Sequence, residues 1–262
     1  MFLLYRGKQI SRSDFCLLHF MEGPSLVILK EEVKIFKGKK VLNATGYADI
    51  DYNRLKGKTV KDFKTWGKHF LIVFPGFTLR VHFLLFGTYF INTRKKTNPK
   101  LALTFVNGSF NCYVCSLKFI EEPLSRVYDW ELDLLHPKWN FKKVKKMLLQ
   151  YPDKMICDII LDPAIFAGAG NIIKNEALFR AGIHPESILK KIPAKKQTEI
   201  IRAVNIYTHD FLKWKKKGIL AKNWKVYSRK KCALCGAVLK KKYDGKLKRR
   251  SFICPNHQVL YK

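Results

Sequence analysis

The sequence predicts an α+β fold in which a sheet-rich first half is followed by a helical second half that ends in a small cysteine-held hairpin. Three observations predict it. Apolar residues recur at helical spacing over 24–37, short β-rich runs fill residues 40–120, and helical periodicity returns over 140–217. Two cysteine-containing pairs then bracket a short strand-turn-strand pattern near the end of the chain.

The first half begins with one amphipathic helix. Leu26, Leu29, Val33 and Phe36 share one helical face behind Pro24, a residue that the first turn of a helix tolerates. The strand signals that follow are Phe70 to Phe74, Leu79 to Leu85 and Leu101 to Phe105, separated by the turn pairs Pro75-Gly76, Asn98-Pro99 and Asn107-Gly108. We interpret this half as a sheet sandwich or barrel.

The second half is predicted to be helical after an irregular segment over 121–137, where we place a domain boundary. The predicted helices run from a capping Asn140 to Gln150, from Met155 to Leu161, from Asn171 to Ala181 and from Ala194 to Lys217. Asp244-Gly245 then predicts the turn of a β-hairpin.

The charge balance predicts a polyanionic partner. The 262 residues contain 51 Lys and Arg against 20 Asp and Glu, a formal net charge of +31. Residues 213–262 carry seventeen of these bases and one acid, Asp244. The apolar content of 47% excludes a disordered basic tail. No uncharged apolar run in the sequence is long enough to predict a membrane-spanning segment. Seven cysteines without a secretory leader pattern favour a reducing, intracellular setting, and we expect a cytoplasmic protein.

Four residues near the end of the chain have the spacing of a structural zinc site. Cys232 and Cys235 form one pair and Cys254 and His257 the other, each with two residues between its members. Four protein ligands leave no open position for water, so we expect one zinc ion per chain that stabilises the fold and does no chemistry. Cys112 and Cys115 are spaced alike, but residues three apart on a strand point to opposite faces, so we expect ordinary buried thiols.

A glycine turn precedes the third predicted helix of the second half. Gly168 and Gly170 allow backbone N–H groups to turn outward, and Asn171 can cap the helix or donate to a phosphate. The segment before the turn has a helical pattern, which excludes a dinucleotide-binding strand-turn-helix.

Taken together, these features resemble the formamidopyrimidine/endonuclease VIII family of DNA glycosylases over about residues 21–262. The motifs that carry the resemblance are Met21-Glu22-Gly23-Pro24, Gly67-Lys68, the segment 82–87, Leu161-Asp162 with 168–171 and Glu176, and Arg249 with the cysteine pairs and Gln258. The resemblance implies an N-terminal helix and β-sandwich over 21–125, a helix-two-turn-helix domain over 126–225 and a zinc-finger hairpin over 226–262, with DNA in a cleft between the domains. Residues 1–20 match nothing in the family.

The resemblance also implies residue roles. Glu22 matches the acid that protonates the sugar ring and relays protons, and Lys68 matches a lysine beside the damaged nucleotide's phosphate. Asn171 and Arg249 match the two donors that hold the phosphates around the flipped sugar. Leu85 matches the apolar wedge that fills the gap left by the extruded base; the alternative is that Leu85 belongs to the core together with its apolar neighbours. The family's arginine-rich wedge before a phenylalanine is poorly kept, with Leu117-Lys118-Phe119 in its place, and Phe119 is the residue of this segment that we expect to contact DNA. We interpret His82 as a structural histidine.

Position 21 departs from the family, which attacks the sugar C1′ with the free amine of an N-terminal proline. Met21 occupies that position behind twenty further residues, and a peptide nitrogen cannot form a Schiff base. We expect translation to start at Met21, which would restore a primary amine in the same register. Failing that, Lys68 or an activated water would have to serve.

The resemblance implies a glycosylase for oxidised or ring-opened bases that nicks the abasic strand by elimination. The partner implied is double-stranded DNA with damaged bases or abasic sites, and we expect a monomer without an obligate protein partner. One alternative is a binding module that keeps the cleft and zinc hairpin but has lost the chemistry. A third class, a basic zinc-ribbon RNA-binding protein, leaves Glu22 and Lys68 without a reason to stand at family positions.

Overall fold

The computed structural model describes residues 4–5, 8–9 and 21–262, which form two compact units. The first unit contains residues up to Met21 together with Ser25–Tyr128, and the second contains Glu22–Pro24 together with Asp129–Lys262. Within residues 1–20, strands β1 (Leu4–Tyr5) and β2 (Lys8–Gln9) pair antiparallel. The remainder of that predicted extension lies outside the described residues.

The predicted first helix is confirmed with a tighter end. Helix α1 spans Gly23–Glu32 and continues as a 3₁₀ turn over Val33–Phe36. Leu26, Leu29, Val33 and Phe36 are all fully buried in the core of the first unit, as their spacing predicts. Pro24 lies in the first turn of α1, where its missing N–H has no intrahelical partner to lose.

Six antiparallel strands form one continuous sheet in the first unit. They are β3 (Asn43–Thr45), β4 (Asp62–Trp66), β5 (His69–Phe74), β6 (Phe77–Ile91), β7 (Leu101–Phe105) and β8 (Gly108–Ile120), in the order β3-β7-β8-β6-β5-β4. Each predicted β-rich run lies within a strand. The predicted turn Pro75-Gly76 joins β5 to β6, and Gly76 has the positive φ of 84° that favours glycine there.

A large irregularity interrupts the pairing of β6 with β8. Phe83 pairs with Cys115 and Thr88 with Tyr113, so the four residues 84–87 lie opposite Val114 alone. Val114 has a φ of 51°, and this bulge shifts the alternation of side chains on β8.

The bulge explains why one sequence prediction holds for the wrong reason. Cys112 and Cys115 are both buried, as expected, but they share the same core and their thiols are hydrogen-bond neighbours. The prediction that they point to opposite faces is wrong because it assumes an unbroken strand. Burial and the contact with Cys115 raise the pKa of the Cys112 thiol well above its ordinary value.

The second unit confirms the predicted helices and the hairpin. A short helix α2 (Leu124–Val127) closes the first unit, and the second contains α3 (Phe141–Leu148), α4 (Ile156–Leu161), α5 (Asn171–Ala181), α6 (Ala194–Lys216) and the hairpin strands β9 (Lys240–Asp244) and β10 (Arg249–Ile253). Asn140 caps α3 by accepting from the Lys143 N–H. The predicted α+β fold class is thereby confirmed.

Helix α5 is the centre of the second unit. Nine of its residues are buried, including the polar Lys174, Asn175 and Glu176. A helix buried on every side requires partners for its polar groups, and those partners come from the hairpin and from the chain that leads to it. Among the described residues, no helix is both long and apolar enough to cross a membrane.

A partly buried histidine of the first unit is expected to make the stability of the protein sensitive to acid. His69 lies on β5 opposite His82, its Nδ1 is 3.1 Å from the Tyr128 hydroxyl, and its ring lies beside Trp66. Burial, then the charge of Arg80, lowers the pKa of His69 to about 4. A lowered histidine pKa means that the stability contributed by the neutral ring is present above about pH 6.5 and is lost as the pH falls through about 4.

We therefore expect wild-type protein to lose about 2 kcal/mol more unfolding free energy than His69→Gln between pH 7 and pH 4, a figure reduced for partial exposure. Urea denaturation of both proteins at the two pH values measures it. His209→Gln, which removes an exposed histidine of α6, is the matched control. Equal losses in wild-type protein and His69→Gln would contradict the assignment.

Candidate nucleic-acid interface and metal centre

The carboxylate of Glu22 is held at the N-terminus of helix α5. Its Oε1 accepts from the Ile172 N–H at 2.7 Å and its Oε2 from the Ile173 N–H at 3.2 Å, and the side chain is only 5% exposed. These two amides are among the first in the helix and have no carbonyl partner within it. An acid at this position also interacts favourably with the helix dipole.

The glycine turn makes room for this carboxylate. A Cβ on Gly170 would lie 2.4 Å from the Glu22 side chain, and a Cβ on Gly23 would lie 2.9 Å from the Gly168 backbone. The Gly23 N–H donates to the Gly168 carbonyl at 2.9 Å, which fixes the chain next to Glu22, and Gly168 has a φ of 104°. The glycines are therefore required for the close approach of residues 22–23 to the start of α5.

This arrangement corrects two predictions about the turn. The first amides of α5 bond Glu22, so they do not turn outward as the sequence predicts. Asn171 does not cap the helix, because the N-cap position belongs to Gly170. Its Nδ2 donates instead to the Arg250 carbonyl on β10 at 3.0 Å.

Arg249 and Asn171 therefore belong to one connected piece of structure. Arg249 begins strand β10, pairs across the hairpin with Asp244 and is exposed. Its neighbour Arg250 is tied through its carbonyl to Asn171 and to the Asn175 amide at 3.1 Å. The Asn175 Oδ1 in turn accepts from the Phe252 N–H, so α5 bonds the backbone of β10 at two points.

The predicted metal ligands come together. The ligand atoms of Cys232, Cys235, Cys254 and His257 all lie within 4.8 Å of one another. The Cys235 and Cys254 sulfurs are 3.6 Å apart, and His257 Nδ1 lies 3.8 Å from the Cys232 sulfur. A tetrahedral ion with Zn–S bonds of about 2.3 Å has ligand edges of about 3.8 Å, so these residues fit a metal ion of that kind.

Two anchors of this region carried no predicted role. Glu176, buried on α5, accepts from the backbone N–H groups of Lys225, Val226 and Tyr227 and so fixes the chain that enters the cysteine module. Burial raises the pKa of this carboxyl, and the three N–H donors oppose that shift. Gln258 accepts from the Cys254 N–H and donates to the Ile183 carbonyl. Sequence marks both as motif residues but gives no partner for them.

The first unit presents Lys68 on a tight turn. Strands β4 and β5 pair from Trp66 and His69 outward, so Gly67 and Lys68 are the two residues of the hairpin loop. Gly67 has the positive φ of 54° that such a turn requires. The charge of Lys68 contributes to a lowered pKa at His82, although burial of that imidazole is the larger cause.

Leu85 lies at an exposed apolar tip of the same unit. Leu84, Leu85 and Phe86 are 49%, 64% and 65% exposed within the irregularity of β6, and Phe86 has a φ of 66°. A positive φ at a phenylalanine is strained, and adjacent exposed apolar side chains are a feature of binding surfaces. The alternative that Leu85 belongs to the core is wrong.

The Phe119 side chain packs against neighbouring side chains of the first unit. It lies 5.4 Å from the Phe77 ring, and the Arg54 guanidinium lies over it at 4.6 Å. Val114, 43% exposed, is the β8 residue opposite the apolar tip. Met21 also packs, half-buried, against the core of the first unit.

The predicted site residues are thus divided between the two units. The second unit contains Glu22, Asn171, Arg249 and the metal ligands, and helix α5 bonds or adjoins the segments that carry them. The first unit contains Met21, Lys68, Leu85 and Phe119.

The sequence comparisons find relatives of one kind. Residues 132–221 match the family model described as the formamidopyrimidine-DNA glycosylase H2TH domain. The chain is 30% identical over 212 residues to mouse (Mus musculus) endonuclease 8-like 3, covering 77% of this chain and 35% of that protein. It is 33% identical over 196 residues to human (Homo sapiens) endonuclease 8-like 2, covering 69% of this chain and 57% of that protein. The chain therefore spans between about a third and three-fifths of the length of these relatives.

Solved structures share the fold. A viral DNA glycosylase superposes with a TM-score of 0.76 at 16% identity, over 91% of this chain and all of that one. Formamidopyrimidine-DNA glycosylase from Lactococcus lactis, solved with DNA that contains an abasic site, superposes with a TM-score of 0.80 at 20% identity, over 90% of this chain and 99% of that one. By its sequence relatives, its H2TH domain and its motifs, this chain belongs to the formamidopyrimidine/endonuclease VIII family.

Proposed function

We propose that this protein is a DNA repair glycosylase that excises oxidised or ring-opened bases and then nicks the abasic strand. The observation that carries the proposal is the buried Glu22 carboxylate on the first amides of α5, one residue from Asn171. A proton-handling acid is thereby fixed beside a predicted phosphate donor, which in turn is bonded to the strand that carries Arg249. The Lactococcus relative's complex with abasic-site DNA supports the same substrate class.

The proposed reaction begins when the lesion nucleotide leaves the helix, at a cost of a few kcal/mol that damage or mispairing lowers. Asn171 and Arg249 hold the flanking phosphates, Lys68 contacts a phosphate from its hairpin turn, and Leu85 fills the vacated stack. The net charge of +31 supplies the long-range attraction to the duplex.

The proposed chemistry joins an amine nitrogen at position 21 to the sugar C1′ while the glycosidic C1′–N bond breaks. Glu22 protonates the ring oxygen, so that the C1′–O4′ bond breaks and the C1′=N bond of a Schiff base forms. Glu22 then transfers protons as the Schiff base loses a 2′ proton and the 3′ phosphate leaves by elimination. An α-amine has a pKa of about 7.7–8.0 against about 10.4 for lysine, so a few hundred-fold more of it is neutral at pH 7.

An impaired damaged-DNA-binding protein is the second candidate, and position 21 favours it. Met21 does not supply the secondary amine of proline, and in the full sequence its nitrogen lies in a peptide bond. Such a protein would keep the hydrogen bonds that join α5 to Glu22 and to β10, and it would keep the phosphate donors, but it would not carry out the lyase step.

The first test compares wild-type protein with Glu22→Gln on duplexes that contain an oxidised pyrimidine, a ring-opened purine or no lesion. We expect wild-type protein to release the damaged base, and Glu22→Gln to release it at least about a hundredfold more slowly because the proton relay is lost. Glu122→Gln, an exposed acid of the first unit, is the matched control. Lesion-selective binding without release in wild-type protein would leave the binding-protein candidate.

The second test addresses position 21. A chain that begins at Met21 is expected to form a covalent adduct with abasic DNA under borohydride, because its amine is free to form the Schiff base that borohydride reduces. The full 262-residue chain is expected to form none through that position, and tandem mass spectrometry locates the modified residue. An adduct on Lys68, or none in the shorter chain, would overturn the assignment of the nucleophile.

The third test concerns the metal, which we propose is zinc. Purified protein is expected to contain about one zinc ion per chain, and Cys235→Ser is expected to lower both the metal content and the melting temperature of the hairpin module. Affinity for DNA should fall with them, since Arg249 stands on this hairpin. Leu234→Ser changes an exposed residue between the first two ligands and is the control. Full zinc content in Cys235→Ser would exclude it as a ligand.

A further inference from the structure

One backbone carbonyl of the hairpin receives three donors from helix α5. The Arg250 oxygen accepts from Asn171 Nδ2 at 3.0 Å, from Asn175 Nδ2 at 3.1 Å and from Lys174 Nζ at 3.3 Å. Asn171 and Asn175 are four residues apart and share a helix face, so their amides reach the same carbonyl. Lys174 adds a charged donor to this group, and it also donates to the Ser251 hydroxyl at 2.9 Å.

Lys174 is an exceptional residue for this position because its side chain is fully buried. A lysine is almost never fully buried unless it is paired. Within the described residues, the hydrogen bonds of its ammonium go to a carbonyl and a hydroxyl, and none goes to a carboxylate. Complete burial also prevents Lys174 from touching a substrate, so it can act only through the residues that it holds.

The titratable groups that face Lys174 come from several elements. Asp158 and the Cys157 thiol lie on α4, Asp244 on β9 and Glu22 ahead of α1, and each of these groups raises the pKa of the lysine. Burial outweighs them and lowers the pKa of Lys174 to about 8. The two carboxylate oxygens of Asp244 are themselves buried and have no hydrogen-bond partner in the described structure.

The lowered pKa of Lys174 means that burying this lysine costs stability. A lysine whose pKa is lower in the folded protein than in the unfolded chain destabilises the fold below about pH 8, where it must be buried with its charge. The unbranched methionine has similar length and no charge, and it fills such a cavity without that penalty. What a lysine supplies here and a methionine does not is a set of charged hydrogen-bond donors to β10.

We propose that Lys174 is a positioning residue for DNA binding, which holds the Arg249–Arg250 end of β10 against Asn171 at the expense of stability. This inference rests on the proposed function. Asn171 on α5 and Arg249 on β10 must address neighbouring phosphates, and the charge-assisted donors of Lys174 fix the two elements in one register. The buried charge of Lys174 also adds to the positive potential at the surface that Asn171 and the start of β10 form.

The test compares wild-type protein with Lys174→Met in two measurements, the melting temperature and the affinity for a duplex with an abasic-site analogue. We expect Lys174→Met to melt at the same or a higher temperature and to bind about tenfold more weakly. Lys145→Met, which removes one exposed charge from α3, is the matched control and should bind within about twofold of wild type at moderate salt. Ser251→Ala removes one partner of the ammonium and should weaken binding in the same direction.

A pH series adds a measurement that compares the pH dependence of binding, rather than the absolute affinity, of the two proteins. Between pH 7 and pH 9 the affinity of wild-type protein should fall by more than that of Lys174→Met, because only the former loses a buried charge in this range. Equal affinity in the two proteins, or parallel losses of melting temperature and affinity in Lys174→Met, would overturn the inference. If wild-type protein itself does not prefer abasic DNA to intact duplex, the proposed function fails; if it does, and Lys174→Met binds equally well, only this inference fails.

Discussion

The bond between the Glu22 carboxylate and the first amides of α5 is the constraint on which the second unit depends. It takes an acid from the start of the chain and buries it at the end of a helix more than a hundred residues away in sequence. Burying a carboxylate is costly unless charge-assisted hydrogen bonds compensate it, and the helix N-terminus supplies two together with its dipole. The glycines at 168 and 170 follow from this requirement, because any side chain at 170 would displace the carboxylate.

Helix α5 then transmits this fixed point to the rest of the unit. Asn171, Lys174 and Asn175 bond strand β10, and the next residue, Glu176, fixes the chain that enters the cysteine module. The polar side chains of α5 are thus used for hydrogen bonds within the second unit. A closed metal site is consistent with such a design, since four protein ligands provide geometry to the hairpin and no chemistry.

Local patterns predicted most of the fold, and contacts between distant residues account for what they missed. The spacing of Leu26 and Leu29 and the cap at Asn140 are each contained in a few consecutive residues, and both are confirmed. The two cysteine-containing pairs are equally local, and their four ligand atoms lie together. The irregularity opposite Val114 depends on the register of two strands, so sequence could not show that Cys112 and Cys115 meet or that Leu85 is exposed. The expectation that Asn171 can cap α5 is wrong, because its side chain bonds the Arg250 carbonyl, which lies 79 residues away.

The placement of charge in the hairpin follows from the same logic. Asp244, the single acid among residues 213–262, is buried, whereas Lys240, Lys242, Arg249 and Arg250 on its strands are exposed. An acid at the surface would cancel part of the attraction to phosphate, while a buried acid stays close to Lys174 and partly offsets the cost of that interior charge. The surface of the hairpin is consequently of one sign, and the interior beneath it contains both. Such an arrangement concentrates the field where a polyanion would lie, and it requires the buried charges to be held by geometry, because none of them is neutralised by a direct ion pair among the described residues.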